Sequence, residues 1–420
     1  MNRLARLAGD DADVLSNRNF QLLLLASVSS PMGASVVSPA LEALIGPYGA
    51  TEASIGLLMS AFTAPAIVAI PLSGVLSDRF GRKPVLTAGL VVFGLAGLAI
   101  PLTTDFRVAL VLRAIQGVGY TGIAPVLITS VGDLFDGDRE AAAQGLRFTT
   151  VGLSLAVFPL IAGATVSFGW QLPFLLFAVA LPTALAVGWL FEEPRSAGAS
   201  DRTAADGGRT ATGGLGETVA ELWTLVRQPS VAAILVGRMA PSFVWFAFLT
   251  YNSIIIVRLL GGTAGTAGAV VALTSVSSAV GGTQVGRLVG AFDGRRIPLV
   301  GTLALTGAGV AGFAVAPSIP AAAAAAVVTG AGFGISLSLI RSTISELGTD
   351  DTRGGLVSTA ESLGRIGSTV APLVLGAAIA MGRQTTDFAA AVRGTVLVAA
   401  VGGAAFGIVC VLVATRDETA

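Results

Sequence analysis

Few residues of this sequence could do chemistry, and those few are arginines, carboxylates and amides placed in or beside long apolar runs. Glu361 and Arg365 lie four residues apart inside one run, the spacing of two side chains on one face of a helix. Arg113 lies about two turns inside another run and is followed three residues later by Gln116. A charge inside an apolar run is costly unless it is paired or faces water. These residues are therefore candidates for binding a solute or for guiding a proton.

Catalytic, metal and nucleotide sites are not indicated. The sequence has no histidine and one cysteine, Cys410, so it offers no Ser/His/Asp or Cys/His set and no cluster of transition-metal ligands. The glycine-rich stretch 261–268 lacks the Lys-Ser/Thr of a phosphate-binding loop. Basic and acidic residues both number 25, and this balance does not favour nucleic acid as a partner. We therefore expect no enzyme, no cofactor and no metal.

The composition is that of a protein that crosses a membrane many times. Of 420 residues, 53% are hydrophobic and 12% are charged, whereas a soluble domain has ~25% charged residues. Because a helix needs ~20 apolar residues to cross the hydrocarbon, we count twelve spans. Their predicted limits are residues 20–45, 52–73, 85–103, 107–132, 143–166, 171–190, 230–256, 267–290, 297–316, 320–345, 357–381 and 389–414.

The basic residues predict the orientation. With twelve spans both termini lie on one side, and that side with its span ends would hold eighteen of the 25 basic residues. The opposite side would hold Arg107, Arg258, Arg383 and Arg393, while Arg113, Arg238 and Arg365 fall deeper inside spans. Because basic loops stay in the cytoplasm, we expect a multi-pass protein of the plasma membrane with both termini cytoplasmic.

The stretch 74–84 forms a short basic connection between the second and third predicted spans. Gly74 would allow a close helix contact and Gly81 a turn, and Asp78 could pair with Arg82 four residues later. An ordinary cytoplasmic loop would explain the basic residues but not the glycines and the aspartate at this spacing. The pattern is carried by Gly74, Asp78, Arg79, Gly81, Arg82 and Lys83.

This pattern resembles the signature loop of the major facilitator superfamily, which joins the second and third helices of those transporters. The resemblance implies an all-α membrane protein with twelve transmembrane helices in two pseudo-symmetric six-helix bundles around a central cavity. It also implies that these six residues, with Asp133, form a cytoplasmic gate whose charges hold the outward-facing state.

A repeat with an offset of 213 residues indicates duplicated halves. It relates 81–83 to 294–296, Gly117 to Gly330, Gly119 to Gly332, Asp133 to Glu346, Pro159 to Pro372 and Gly163 to Gly376. Arg295 and Glu346 thus become gate candidates in the second half, although Gly286 stands where the acid of the motif should be. We expect bundles at 1–190 and 230–420, joined by a cytoplasmic linker at 191–229. Within it, 217–227 would form a short amphipathic helix on the membrane surface or an extension of the seventh span.

The fourth and fifth spans carry two further patterns. The first consists of Arg113, Gln116, Gly117 and Gly119. It resembles the Arg-x-x-Gln-Gly pattern associated with proton-coupled antiporters of the superfamily, which implies a role in proton coupling or substrate binding. The alternative is an arginine that snorkels to the nearby membrane surface. In the fifth span, Pro159 and Gly163 match half of the antiporter pattern Gly-Pro-x-x-Gly-Gly.

Other polar and aromatic residues are candidates for a cavity lining. The first span has no acid between Phe20 and Ala40 and offers hydroxyls such as that of Ser30. The seventh span carries Trp245, Tyr251 and Asn252, which could line a cavity for a mostly apolar ligand or simply pack against other helices or lipid. For Glu361 and Arg365 the alternatives are a coupling or gating pair and a neutral structural pair.

These features favour a secondary transporter that moves a small organic solute by alternating access. We expect proton-coupled efflux of drug-like or amphiphilic compounds by a monomer in the lipid bilayer, with no nucleic acid bound. The alternative is uptake of a sugar, organic acid or amino acid, since the first-span acid of many multidrug antiporters is missing and the fifth-span pattern is incomplete. A membrane sensor without transport activity is less favoured, because Asp78, Arg82 and Asp133 are all present.

Overall fold

The protein is a bundle of membrane-spanning helices. The computed structural model describes residues 14–193, 221, 223–292, 294–349 and 352–415. Within these residues twelve helices are long and apolar enough to span a membrane, when the bent helix α2 is counted as one span. They are α1 (Arg18–Leu44), α2 (Leu57–Phe80), α3 (Arg82–Leu102), α4 (Phe106–Leu134), α5 (Gly137–Val166), α6 (Leu172–Leu190), α7 (Pro229–Leu259), α8 (Ala264–Gly282), α9 (Arg296–Val315), α10 (Ile319–Leu347), α11 (Arg353–Gly382) and α12 (Phe388–Ala414). The twelve predicted spans are thereby confirmed.

The helix boundaries differ from the predicted ones in two places. Helix α2 continues through Phe80, so Asp78 lies on its last turn and the connection to α3 is Gly81 alone, with φ of 95°. That left-handed conformation is open to glycine and strained for other residues. Helix α8 ends at Gly282, and Val285–Ala291 forms a separate short helix. Residues 194–220 and 222 of the predicted linker lie outside the described residues, and these include five of the eleven residues of the predicted amphipathic segment 217–227.

Besides the bend in α2 between Ile70 and Leu72, three spans are interrupted along their length. Helix α1 breaks between Ser29 and Met32, and α4 breaks between Thr121 and Ala124. Helix α7 breaks at Arg238 and closes with a π-helical turn at Ile255–Leu259. An interrupted helix leaves backbone groups without their helical partners, and inside a membrane these are tolerated where protein or water satisfies them. The breaks therefore mark positions where polar groups enter the interior of the bundle.

The two halves of the bundle pack in the same way. A Cβ atom added at Gly117 of α4 would lie 2.2 Å from the carbonyl oxygen of Phe62 in α2. At the equivalent Gly330 of α10, it would lie 2.1 Å from the carbonyl oxygen of Thr274 in α8. Both crossings thus need a glycine for backbone contact, as is common where helices pack in lipid. The 213-residue repeat corresponds to equivalent helix contacts.

The helices run between two ends of the bundle. We call the end at which Gly81 joins α2 to α3 the motif end, and the other the opposite end. The turn at Gly294, with φ of 159°, precedes α9 as Gly81 precedes α3.

Candidate functional site

Arg113 is sealed inside the first half of the bundle. Its side chain has no exposed surface, and its guanidinium lies 4.5 Å from the centre of the Phe62 ring. Nε donates to the carbonyl oxygen of Leu58 at 3.0 Å, Nη2 to that of Gly33 at 2.8 Å, and Nη1 to Oε1 of Gln116 at 2.6 Å. The guanidinium thereby ties α4 to α1 and α2. A side chain this deeply buried does not snorkel to the membrane surface.

A central cavity lies between the two halves. It has a volume of about 120 Å³ and includes Ser30 of α1, Tyr120 of α4, Trp245 of α7 and Arg365 of α11 in its lining. The Trp245 ring stacks on Phe333 of α10 with centroids 4.2 Å apart. Ser30 and Trp245, two of the four predicted cavity residues, therefore line this cavity.

The other two predicted cavity residues face away from this cavity. Tyr251 and Asn252 have no exposed surface, and Nδ2 of Asn252 donates to the carbonyl oxygen of Ala267 in α8 at 3.0 Å. The Tyr251 hydroxyl lies 3.8 Å from a Cβ atom added at Gly376 of α11, and neither residue is part of the cavity lining. Both Tyr251 and Asn252 pack against other helices, which was the alternative to a place in the cavity lining.

Four arginines from both halves meet at the motif side of the cavity, which we call the arginine cluster: Arg147 of α5, Arg238 of α7, Arg341 of α10 and Arg365 of α11. Their only carboxylate partner within the described residues is Glu361 of α11. It accepts from Nε of Arg341 at 2.8 Å and contacts Nη2 of Arg238 at 3.5 Å.

The predicted pairing of Glu361 with Arg365 is not the one that forms. Nη2 of Arg365 instead donates to the Tyr120 hydroxyl at 2.7 Å and lies over its ring, which joins the two halves. Glu361 pairs with Arg238 and Arg341 because α7 and α10 bring these two guanidinium groups to its carboxylate. Sequence reasoning had assigned no role to Arg147, Arg238 or Arg341. The cost of a charge inside a span, applied to every arginine, would have pointed to all three.

At the motif end, the charge pairs form within each half. Arg82 donates to Asp133 at 2.8 Å and also pairs with Asp78, whose side chain is 68% exposed. In the second half Arg295 pairs with Glu346. Because 82 and 295, like 133 and 346, are related by the 213-residue offset, the two pairs are structural equivalents.

The remaining residues of the signature loop have different surroundings. The backbone N–H groups of Arg82 and Lys83 donate to the Glu193 carboxylate, and the Arg79 guanidinium lies 5.5 Å from the centre of the Phe80 ring. Gly74 was expected to allow a close helix contact. A Cβ atom added there would meet nothing within 4 Å, so no such contact is made in this conformation.

The fifth-span pattern lies at a contact between the halves. Pro159 is inside α5, and a Cβ atom added at Gly268 of α8 would lie 2.1 Å from its carbonyl oxygen. A Cβ atom added at Gly163 would lie 2.4 Å from the carbonyl oxygen of Ala264. At the equivalent Gly376 of α11, an added Cβ atom would lie 2.2 Å from the carbonyl oxygen of Ala53, in the segment before α2. Both patterns therefore let the two halves touch.

A network of four charges closes the opposite end, and sequence reasoning missed it. Arg258, on the π-helical turn of α7, pairs with Glu42 at 2.8 Å and with Glu52, and Glu52 also pairs with Arg383 at 2.9 Å. We call these four residues the closing network. Both acids belong to the first half and both arginines to the second, so every pair joins the halves.

Further hydrogen bonds join the halves from this end to the centre. Ser38 donates to the carbonyl oxygen of Leu249 at 2.5 Å, and Ser60 donates to that of Thr369 at 2.7 Å. The pairs at the motif end, by contrast, each stay within one half. Within the described residues, the halves are therefore held together by side-chain hydrogen bonds at the opposite end and the centre.

Comparisons with known proteins agree with this architecture. The family model described as Major Facilitator Superfamily matches residues 23–256. Over 162 residues the chain is 35% identical to the bacillibactin exporter of Bacillus subtilis (strain 168), covering 36% of this chain and 40% of the exporter. Over 190 residues it is 28% identical to the chloramphenicol resistance protein of Pseudomonas aeruginosa, covering 42% and 45% of the two chains. These matches span less than half the length of each relative.

Solved structures resemble the whole chain. A bacterial homologue of the human lysosomal transporter Spinster, in an inward-facing and unoccupied conformation, superposes with a TM-score of 0.80 at 17% identity, covering 97% of this chain and 98% of the other. The D-xylose–proton symporter gives a TM-score of 0.67 at 16% identity, covering 91% and 96%. At these identities the likeness concerns the fold. With more than half of its length matched by the family model and a fold shared over nearly all of it, the chain belongs to the Major Facilitator Superfamily.

Proposed function

We propose that this transporter exports a small organic solute by alternating access, with protons as the coupling ion and a monomer as the working unit. The observation that carries this is the asymmetry of the contacts between the halves. They are joined by the closing network at one end, whereas the charge pairs of the motif end each stay within one half. Such an arrangement is one of the two states between which a rocking bundle alternates.

The distribution of basic residues supports placing the motif end in the cytoplasm. On the predicted topology, eighteen of the 25 basic residues belong to that side, and short basic loops are retained in the cytoplasm. On this orientation the structure is the inward-open state, in the plasma membrane with both termini cytoplasmic. In the outward-open state we expect Asp78, Arg82 and Asp133 to contact the start of α11, where helical N–H groups attract a carboxylate.

The relatives support export as the direction. The bacillibactin exporter and the chloramphenicol resistance protein both match a substantial part of this chain, and Arg113 with Gln116 carries the antiporter-type pattern. Uptake is the second candidate. It is favoured by the incomplete fifth-span pattern. The relatives also include a 4-hydroxybenzoate transporter of Pseudomonas aeruginosa, which is 33% identical over 156 residues that cover 37% of this chain and 35% of that one.

Glu361 is our candidate for the proton site. Arg113 contacts two backbone carbonyls and one amide oxygen but no carboxylate, so it holds no group that could take up a proton. Glu361 is the only carboxylate of the described spans that lies away from their ends. Its arginine partners favour its charged form. A rearrangement of α7 and α10 against α11 would withdraw them and allow protonation.

Transport in oriented vesicles tests the proposal. In inside-out vesicles with an acidic interior, substrate should accumulate, and collapse of the pH gradient should stop accumulation. Glu361→Gln should abolish the response to the gradient but retain exchange of labelled for unlabelled substrate. Asp105→Asn, which keeps the helix cap on α4, serves as the control. Accumulation only in right-side-out vesicles would favour uptake, and a Glu361→Gln protein that still responds to the gradient would remove the proposed proton site.

A further inference from the structure

The arginine cluster carries more positive charge than the protein neutralises. Its four arginines share one carboxylate, Glu361, and Arg341 lies close enough to Arg147 and Arg238 for their charges to repel. Fully ionised, the five groups carry a formal charge of +3 among the described residues. Arg147 and Arg238 are each 4% exposed, whereas the Arg341 side chain is 45% exposed and reaches water. Unneutralised charge on the buried members is unfavourable, so this site is suited to a counter-charge from outside the chain.

The hydrogen-bonding capacity of the cluster is also partly unused. Nη2 of Arg147 and Nε of Arg238 are buried and have no hydrogen-bond partner among the described residues. Each of the two residues is 4% exposed. Nε of Arg147 donates to Gln144 at 3.0 Å, and Nη1 of Arg238 donates to Ser242 at 2.6 Å. A guanidinium is planar, carries five N–H donors and matches the two oxygens of a carboxylate. The unused donors are therefore of the kind that an oxyanion accepts.

Arg113 provides an internal comparison. It is also a buried arginine without a carboxylate, but each of its three nitrogens donates to an oxygen of the first half. All three nitrogens therefore have acceptors, and the side chain has no exposed surface. The arginine cluster differs because it draws on helices of both halves and adjoins the central cavity through Arg365. A ligand held there would contact both halves and would be released when they separate.

We propose that the transported solute is an organic anion, with a carboxylate or similar acidic group on the arginine cluster and an apolar body in the central cavity. The apolar body would lie against Phe62, Trp245 and Phe246, which line the cavity beside Arg365. The inference rests on the proposed function and names its substrate class. Export of an anion moves negative charge outward, so an inside-negative membrane potential would contribute about 2.3 kcal/mol per 100 mV for each charge.

Binding of matched compounds tests the charge requirement. Three sets with a common body are used, each as carboxylate, uncharged amide and amine: 4-hydroxybenzoate, 2-naphthoate and octanoate with their counterparts. Ligand-dependent thermal unfolding of the full chain in detergent gives the affinities. At least one carboxylate should bind ten-fold more tightly than its amide, and the amines should bind no more tightly than the amides.

Substitutions in the cluster then identify the site. Arg147→Gln and Arg238→Gln should each weaken carboxylate binding at least ten-fold, while Arg107→Gln, at an exposed position of the opposite end, should leave it unchanged. Glu361→Gln should have the opposite effect on the affinity for carboxylates. By removing the one internal carboxylate it should lower the melting temperature without ligand but tighten carboxylate binding several-fold. If Glu361 had a purely structural role, Glu361→Gln would lower both the melting temperature and the affinity for carboxylates.

Several results would overturn the inference: no carboxylate of the three sets binds, amides or amines bind as tightly, or Arg147→Gln and Arg238→Gln bind carboxylates as the native protein does. Its failure is distinguishable from that of the proposed function. Export of an amine driven by a pH gradient would keep the transporter and refute the anion. Carboxylate binding without movement in vesicles would keep the anion site and refute transport.

Discussion

Removal of the charge of Glu52 should open the opposite end of the bundle. Its carboxylate, 11% exposed, pairs with Arg258 and Arg383, whose side chains are 33% and 47% exposed. Pairs this close to water are worth about 1 kcal/mol or less each, so Glu52→Gln should cost about 1–2 kcal/mol in this state only. Since 1.4 kcal/mol is a factor of ten, the ratio of this state to the other should fall roughly 5- to 30-fold.

Electron paramagnetic resonance distances measure this shift. Spin labels at Thr51→Cys and Gln384→Cys, both at exposed positions of the opposite end, report the separation of the halves in a Cys410→Ser background. Glu52→Gln should move population from the short to the long distance. It should also speed alkylation of a cysteine placed at Ser30 in the central cavity by a reagent added from the opposite side.

Two comparisons make the result specific to the closing network. Asp105→Asn removes a negative charge at the same end but keeps the cap on α4. It should therefore leave the populations of the short and long distances unchanged. Adding Arg383→Gln to Glu52→Gln should change the distribution by less than the sum of the two single effects, since both act on one pair. An unchanged short distance in Glu52→Gln would show that the closing network does not hold this state, and the reasoning would be refuted.

Three further predictions concern the packing and the gates. Arg113→Lys should lower the free energy of unfolding in detergent by about 2–3 kcal/mol, because a lysine leaves buried oxygen acceptors without donors; thermal melting checks this, and an unchanged melting temperature would contradict it. Gly268→Ala should reduce transport at least ten-fold by forcing α8 away from Pro159, whereas Gly290→Ala, where a Cβ meets nothing within 4 Å, should not. Equal transport rates in the two variants would show that transport does not depend on the close contact between α5 and α8. Asp78→Asn should leave the melting temperature of this state nearly unchanged, because an exposed pair contributes about 0–1 kcal/mol, yet slow transport by weakening the other state; native transport rates would exclude a gate role.

The sequence by itself determined the membrane class, the number of spans and the internal repeat. Apolar runs long enough to cross hydrocarbon cannot be buried in any other way, and this is a local property of the chain. The spacing of Asp78 and Arg82 likewise predicted their pair. The pairs of Arg82 with Asp133 and of Arg295 with Glu346 join residues that are 51 apart in the sequence, so these pairs form only when their helices pack.

The partners of the interior charges were decided by the tertiary structure. Local spacing predicted a pair of Glu361 with Arg365, but Arg238 and Arg341 come from helices far away in the sequence and meet the carboxylate only when α7, α10 and α11 pack. The same packing turns Tyr251 away from the cavity and gives Arg113 its backbone acceptors. A pattern along one helix carries no information on which neighbours approach its faces.

The closing network shows the same limit most clearly, since Glu52 and Arg383 lie 331 residues apart. Their contact exists because the two halves meet at the opposite end in this state. In a transporter that alternates, the other state must lie within a few kcal/mol, with these pairs broken and others formed at the motif end. One sequence encodes both sets of contacts. Which set is formed is a property of the relative position of the halves, and only the folded bundle fixes that position.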